Sequence, residues 1–519
     1  MTVLRDETAS TTTVSGGPSG SYWLQTTPRI RSYAPWVTKT EYDAVVVGAG
    51  IAGVTTALLL QRAGLSVLLI EAAAVGSGVS GATTAKLSAL QGLVYSELED
   101  RHGQAMSRAY AEVNAGALRW VEELVAAEAV ACDWEQRPAV TYVTDPERVS
   151  ALEREREAAL RAGLPVVADA EPSYGAVAAV RLDAQAQFHP RRYLLGLTER
   201  FVAAGGSVVE GARVSGVSTR GRTTEVQAEG ISYSAGDVVL ATHYPLLDRG
   251  LFFPRLSVER SYIVAMPLQP GAESPHGMFY AAEQPTRSVR TAQLDDGGTL
   301  VLVGGEGHHT GRVRTSRERF DRLEAWARQH HDLGPVQARW SAQDVMGPDG
   351  LPYAGSVPFT DGRVWTATGF RKWGFTLGTA AAHVIAAAVL GEPRHAWADA
   401  FSTPQREVRR GAADIAKENA TIGKHFVGDR LRTALLRRTA DDLAPGEGAI
   451  VHHQGSKTAA YRAADGTLHA VSPTCTHMGC ELQFNDAERS WDCPCHASRF
   501  SVDGAVLEGP ATEPLRQRS

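Results

Sequence analysis

Residues 41–71, EYDAVVVGAGIAGVTTALLLQRAGLSVLLIE, decide the fold. A buried apolar strand enters the glycine turn Gly48-Ala49-Gly50-Ile51-Ala52-Gly53, a helix follows, and SVLLIE supplies a second strand. This strand–helix–strand unit makes a parallel sheet the expected scaffold. Gly48 permits the tight turn, Gly50 lets the backbone approach a pyrophosphate, and Gly53 lets the helix pack close to the strand. Glu71, 23 positions after Gly48, ends the second strand, placed to accept from ribose hydroxyls. A diphosphate would then lie at the positive helix N-terminus, against Gly48, Gly50, Ile51, Ala52 and Gly53, so the unit reads as a dinucleotide site.

Upstream, residues 1–40 are rich in Thr, Ser, Gly and Pro; the first half is expected to be a loose tail, and the half bearing Tyr22, Trp23, Tyr33 and Trp36 to pack on the body. Downstream, helical runs at Met106 to Glu128 and Glu153 to Ala162 mix with strand-like stretches, and the polar hairpin of residues 219–234 reads as a meander within the nucleotide-binding layer. A second strand–turn–helix unit runs from Ala367 through GFRKWGFTLG to Leu390. Residues 401–444 are charged and helical in character, a surface connector with arginines at 406, 409, 410, 430, 432, 437 and 438. From residue 445 the pattern turns to short strands with hairpin turns at Asp465-Gly466 and Asp503-Gly504, too small a unit to hold its shape without a metal centre or crosslink.

The chain has 519 residues, enough for two or three domains, with 43% apolar and 21% charged residues. A formal charge of -6 argues against a nucleic-acid partner. The apolar run Thr376 to Leu390 is short and holds His383, so it predicts a buried helix and no transmembrane segment. No secretory pattern opens the sequence, and a cytoplasmic location is expected.

Of five cysteines, Cys132 stands alone while Cys475, Cys480, Cys493 and Cys495 fall within 21 positions. That is the distribution of a cofactor site. Cys475-Thr476-His477 and Cys493-Pro494-Cys495-His496 form two ligand arms 15 residues apart, and two thiolates with two imidazoles suit zinc or a mixed-ligand iron–sulfur centre.

CTHMGC...CPCHASRF resembles the Rieske [2Fe-2S] domain, in the branch found in cytochrome bc complexes. The resemblance implies that Cys475 and Cys493 bind one iron and His477 and His496 the other, that Cys480 and Cys495 form a disulfide clamping the two loops, and that the Ser498 hydroxyl donates to a bridging sulfide. A structural zinc knuckle would explain four ligands but not the surplus cysteine pair, the spacing and Ser498 together. Ala497 stands where the family has glycine, and Phe500 where high-potential members have a donor tyrosine. A cluster potential below that of respiratory Rieske proteins is therefore predicted.

The body, over roughly residues 20–400, resembles the D-amino-acid oxidase and glycine oxidase class of flavoproteins, including γ-glutamylputrescine oxidase-like enzymes. The likeness rests on the N-terminal unit, on SGATTAKLS at 80–88 and on ATGFRKWGFTLG at 367–378, in that order. It implies FAD, with Thr84 and Lys86 beside the flavin, Val214 contacting adenine, and Gly369, Trp373, Gly374, Phe375 and Thr376 in the second flavin-facing segment. The implied fold is an α/β Rossmann-like FAD domain (41–90, 190–250, 340–400) with an antiparallel-sheet substrate domain (91–189, 251–339) and a small all-β Rieske domain (445–519).

Lys86, His308, Tyr353 and Lys372 are the side chains placed to touch chemistry: Lys86 as a cation beside reduced flavin, Lys372 in the flavin-facing turn, His308 at a strand end, Tyr353 in the proline-bounded loop LPYAG. The leading expectation is oxidation of an amine or amino-acid-like small molecule by hydride transfer to flavin, with electrons leaving singly through the cluster to a redox protein or quinone-like acceptor. The alternatives are a reductase or monooxygenase fed by the cluster, a non-enzymatic electron carrier, and an amine oxidase whose cluster is structural. No two-His-one-carboxylate set for a mononuclear iron is evident, which argues against a ring-hydroxylating oxygenase.

Overall fold

The computed structural model describes residues 20–27, 32–169, 173–247, 252–312, 316–402, 409, 411–423 and 438–518. Most of the expected N-terminal tail and most of the connector, with Arg406, Arg410, Arg430, Arg432 and Arg437, lie outside the described residues; 411–423 is helical.

Glu41–Val47 lies inside a sheet ordered Tyr353–Ser356, Val364–Thr368, Ile231–Leu240, Glu41–Val47, Val67–Ile70, Ser207–Val209. Every pairing from Val364–Thr368 to Ser207–Val209 is parallel. Val67–Ile70 is buried at every position, because helices cover a parallel sheet and both strand faces must be apolar. Helices Ile51–Arg62 and Gly374–Val389 pack against each other over one face. The meander Val214–Arg220 and Thr223–Ala228 hangs antiparallel on Ile231–Leu240.

A second sheet runs Ala338–Met346, Ser257–Pro267, Thr299–His309, Arg287–Gln293, Met278–Ala281, Glu135–Val143, Ala178–Gln187, Lys86–Leu87. The sheet is antiparallel, as expected for the substrate domain, except that Met278–Ala281 pairs parallel with Glu135–Val143. Its membership also moves the expected boundaries. Ala338–Met346 pairs along its length with Ser257–Pro267, so the chain returns to the first sheet between Met346 and Tyr353, later than residue 340. Lys86–Leu87, expected in the FAD domain, pairs with Ala178–Gln187. Tyr22 and Trp23 pack under this sheet with Ile263, Leu302 and Trp340, while Trp36 stays exposed.

The C-terminal unit has a three-stranded sheet (Gly448–His453, Ser456–Arg462, Leu468–Val471) and a four-stranded one (Gln483–Asn485, Ser490–Asp492, Arg499–Ser501, Val506–Glu508). It is docked on the body through buried charge. Arg260, 1% exposed on the second sheet, meets Glu488 at 2.6 Å and Asp492 at 2.9 Å. Arg499 joins the same two acids, at 2.8 and 3.2 Å, and reaches Glu508 at 2.5 Å. Gln343 donates to Ala497 O (3.1 Å) and Glu508 (2.5 Å), and Ser341 Oγ donates to Glu488 (2.7 Å). Asp486 accepts from the N–H groups of Ser316 and Arg317, capping a helix of the body from the other unit. Gly311 (φ 70°) lies against the Cys493–Pro494 backbone, where a Cβ would sit 2.7 Å from Pro494 Cα.

Candidate functional site

The glycine turn opens into a cleft of about 2320 Å³, counting its open mouth, lined by Gly48, Gly50, Ile51, Ala52, Glu71, Val214, Gly374 and Phe375 among others. The turn is sterically committed. A Cβ on Gly48 (φ 100°) would meet Ala241 O at 2.5 Å, and one on Gly53 would meet Gly48 O at 1.8 Å. Gly53 therefore packs beneath the cleft instead of lining it. Ser80 Oγ accepts from the Ile51 N–H (3.1 Å) at the start of this helix, and the rest of its positive end opens on the cleft, where a diphosphate would lie. Glu71 accepts from the N–H groups of Ala49 (2.8 Å) and Ala73 (2.9 Å), and burial holds its carboxyl above its usual range. Each of its oxygens keeps a lone pair for a ribose hydroxyl. Gly53→Ala is expected to cost about 1–3 kcal/mol by overpacking and to strip the purified protein of most of its 450 nm flavin absorbance.

Behind the cleft lies an inner pocket of about 780 Å³, again including open space, which shares Ala82, Thr83, Ala342, Asp344 and Lys372 with it. Thr84, Lys86, Tyr280, Ser288 and Trp373 complete its wall. Lys86 Nζ donates to Phe279 O (2.6 Å) and Ser288 Oγ (2.7 Å), and burial, with the Arg290 charge, holds it well below the ordinary lysine value. Its nitrogen thus stands in the pocket wall already held by two protein acceptors. Lys372 has φ 74° and follows Arg371 at φ 49°, a strained turn that carries Nζ to 3.2 Å from Glu259.

The other expected side chains go elsewhere. Tyr353 donates to Ser356 O (2.7 Å), packs on Phe252 and lines neither cavity. His308 bonds Tyr262 Oη and His309 O, both at 2.8 Å, and burial pushes it down to about 4. Thr376 is buried in the helix start with Oγ1 on Trp373 O (3.2 Å), and Gly369 (φ 78°) shapes the turn; neither lines the cleft. Asp344, Tyr280 and Arg213 carried no sequence motif and were missed.

In the C-terminal unit Cys475 and Cys493 are buried free thiols, while Cys480 and Cys495 are joined by a disulfide with Cα atoms 6.5 Å apart. The sulfurs of Cys480, Cys493 and Cys495 lie within 4.8 Å of one another, but two of them share a bond and cannot ligate. The rings of His477 and His496 meet edge-on at 5.1 Å, and His477 Nδ1 and Nε2 and His496 Nδ1 are buried without hydrogen-bond partners. Unpartnered buried imidazole nitrogens beside two thiols fit a mixed-ligand iron–sulfur centre. Ser498 lies beside Cys475, and its Oγ accepts from Ala511 N (3.0 Å). Ala497 takes φ 61°, which accounts for glycine at this place in the family. Both histidines face the body: His477 packs on Phe253 at 4.2 Å, and His496 lies 6.5 Å from Tyr244 and lines the dinucleotide cleft.

Phe500 is fully buried in the core that holds the ligand cysteines. Phe500→Tyr is expected to raise the cluster's midpoint potential by roughly 40–65 mV, the equivalent of one hydrogen bond of about 1–1.5 kcal/mol favouring the reduced form, read by an EPR-monitored redox titration.

A cleft shaped for a dinucleotide, adjoining two free thiols and two imidazoles with unpartnered nitrogens, is the layout of a two-cofactor redox protein. Residues 43–388 match the FAD dependent oxidoreductase family model and residues 435–518 the Rieske [2Fe-2S] domain model. The chain belongs to the FAD dependent oxidoreductase family and carries a C-terminal Rieske [2Fe-2S] domain. It is 32% identical over 501 residues to the Rieske 2Fe-2S iron-sulfur protein YhfW of Bacillus subtilis, covering 96% of this chain and 97% of that one. Its Rieske part is 42% identical over 52 residues to the cytochrome b6-f complex iron-sulfur subunit of Chlorobaculum thiosulfatiphilum, 10% of this chain and 29% of that protein. The fold of the body is shared with glycine oxidase from Geobacillus kaustophilus (TM-score 0.56, 19% identity, 68% of this chain and 96% of that one). It is shared equally with L-proline dehydrogenase from P. horikoshii (TM-score 0.58, 18% identity, 69% and 95%). No helix among the described residues is long and apolar enough to cross a membrane.

Proposed function

We propose that the chain oxidises a small amine or amino-acid-like substrate in the inner pocket and passes the electrons, one at a time, out through the Rieske domain to a redox protein or quinone-like acceptor. The observation that carries this reading is the shared wall: His496 lines the same cleft as the glycine turn and the flavin-facing segment, so the two cofactor sites adjoin without an intervening layer. Bound FAD would supply a two-electron hydride acceptor and a bound cluster a one-electron relay.

The chain's own residues do the rest. Gly48, Gly50 and Glu71 would hold the dinucleotide; Val214 lines the cleft near Glu71, suited to adenine; Thr84, Lys86 and Trp373 shape the inner pocket. Cys475, Cys493, His477 and His496 would hold the cluster, with Ser498 supporting it. Tyr244 and Phe253 cover the histidines from the body and keep water from them. The body shares its fold with a glycine oxidase, an L-proline dehydrogenase and an L-amino acid deaminase, and the compounds in those names all bear a C–H bond next to nitrogen, which supports the substrate class. A γ-glutamylated polyamine belongs to that class, and a cytoplasmic site of action accords with it.

The test is anaerobic stopped-flow mixing of cofactor-complete protein with amines and amino acids, following flavin and cluster absorbance separately. Flavin bleaching followed by cluster reduction is the expected order. Prompt cluster reduction by a reductase, with flavin following and no response to the panel, would reverse the current and overturn the reading.

A further inference from the structure

Asp344 stands on Ala338–Met346 directly opposite Glu259, at the junction of the inner pocket and the dinucleotide cleft, and lines both. Its carboxylate makes no hydrogen bond to any described residue, an unusual state for a half-buried acid. The cations around the pocket are committed. Lys372 is paired with Glu259 at 3.2 Å, and Lys86 is held by Phe279 O and Ser288 Oγ. Arg287 is paired with Glu306 at 2.8 Å, and Arg371 with Glu97 at 2.8 Å. Arg290 spends its guanidinium on the carbonyls of Thr84, Ala85, Phe188 and Thr291. Among the described residues no guanidinium lines the inner pocket, so nothing there offers the planar two-pronged grip that selects a substrate carboxylate. The uncommitted charged group in the wall is an acid.

We infer that Asp344 binds the substrate's ammonium group and takes its proton, and that the preferred substrates are amines without a carboxylate on the carbon next to nitrogen. This rests on the reading of the inner pocket as an amine-oxidising site. In the step, one N–H bond of the ammonium breaks and an O–H bond forms on Asp344. The freed nitrogen lone pair then forms the C=N bond as the neighbouring C–H leaves as hydride to FAD, and the product is an iminium ion.

With its lone pair held in an N–H bond, an ammonium cannot assist loss of hydride from the neighbouring carbon, so a base in the pocket wall lets an ammonium substrate react near neutral pH. Burial raises the Asp344 carboxyl; Lys372 opposes that, Glu259 and Glu508 add to it, and the outcome is about 7. The other titratable groups nearby are Lys86 and Tyr280, deeper in the pocket, and His243, which lines the cleft and feels the charge of Glu508. The sign follows directly. Below about 7 the acid is protonated and cannot accept; above it the carboxylate can, so flavin reduction at subsaturating amine rises with pH through that region.

The experiment compares holoenzyme with its Asp344→Asn and Asp344→Glu variants, each first shown to retain flavin absorbance and the Rieske EPR signal. Anaerobic flavin bleaching by butylamine and by norvaline, its α-carboxylated counterpart, is followed from pH 5.5 to 9. Butylamine is expected to outpace norvaline. Asp344→Asn is expected to lose the pH step and to slow bleaching by roughly 100–1000-fold, whereas Asp344→Glu keeps the step at a reduced rate. Calorimetry with tert-butylamine, which has no hydrogen on the carbon next to nitrogen and cannot be oxidised, gives a readout independent of turnover. Its binding is expected to weaken roughly tenfold or more in Asp344→Asn, while propionate binding does not weaken. Norvaline outpacing butylamine, or an Asp344→Asn protein with the native pH profile and native tert-butylamine affinity, overturns the inference. Should no amine or amino acid bleach the wild-type flavin, the parent reading fails, and tert-butylamine affinity, lost or kept in Asp344→Asn, still decides whether Asp344 is an ammonium site.

Discussion

Arg260→Ala is expected to cost about 3–5 kcal/mol of stability at the junction between flavoprotein and Rieske domain, since it leaves buried acids without their counter-charge. Glu488 and Asp492 each meet two guanidinium groups, Arg260 from the body and Arg499 from their own domain. With Arg260 gone, Arg499 must neutralise both acids and Glu508 as well. Water entering the gap relieves part of that cost, and entering water is what undocking means. Differential scanning calorimetry should therefore split one transition into two, with the Rieske transition the earlier. Flavin-to-cluster electron transfer should slow in parallel, because Gln343, which grips Ala497 O beside the ligand His496, loses its bond to Arg260 at the same time.

Removing a proposed cluster ligand is expected to separate the two half-reactions. His477→Ala is expected to abolish the Rieske EPR signal while leaving flavin absorbance and substrate-driven bleaching intact, since His477 lies outside the wall of the cleft. Reduction of a one-electron acceptor such as cytochrome c should fall by at least about 100-fold, beyond the 10–100-fold typical of losing an outer-shell partner. A cluster with a purely structural role predicts the reverse, a less stable protein whose turnover with that acceptor is unchanged.

The parts of this molecule that could be read from the chain are those written locally. Residues 41–71 carry turn, helix and acid in one stretch, and the cluster ligands sit in two short arms whose spacing allows few chemistries. What could not be read depends on partners far away in sequence. The burial of Lys86 and its bond to the Phe279 carbonyl, 193 positions on, do not show in the string SGATTAKLS. Tyr353 and His308 were plausible by position but spend their polar atoms on Ser356 and Tyr262. Asp344 and Arg260 belong to strands whose alternation gives no hint that one faces a cavity and the other a second domain. The late domain boundary has the same origin, because strand pairing with Ser257–Pro267 claims residues that sequence order assigns to the FAD domain.

Asp486 bears on more than a helix end. By accepting the N–H groups of Ser316 and Arg317, where the helix Arg317–His330 begins, it makes the Rieske domain part of the flavoprotein's own secondary structure. Together with Gly311 and the Arg260 pairs, it pins that domain at separate points, so the cluster is a fixed terminal and not a swinging head. Electron transfer between a bound flavin and a bound cluster would then depend on distance and driving force, and its rate is expected not to change with solvent viscosity. A terminal that cannot travel has no reach of its own, so an electron acceptor of the proposed kind would have to come to it.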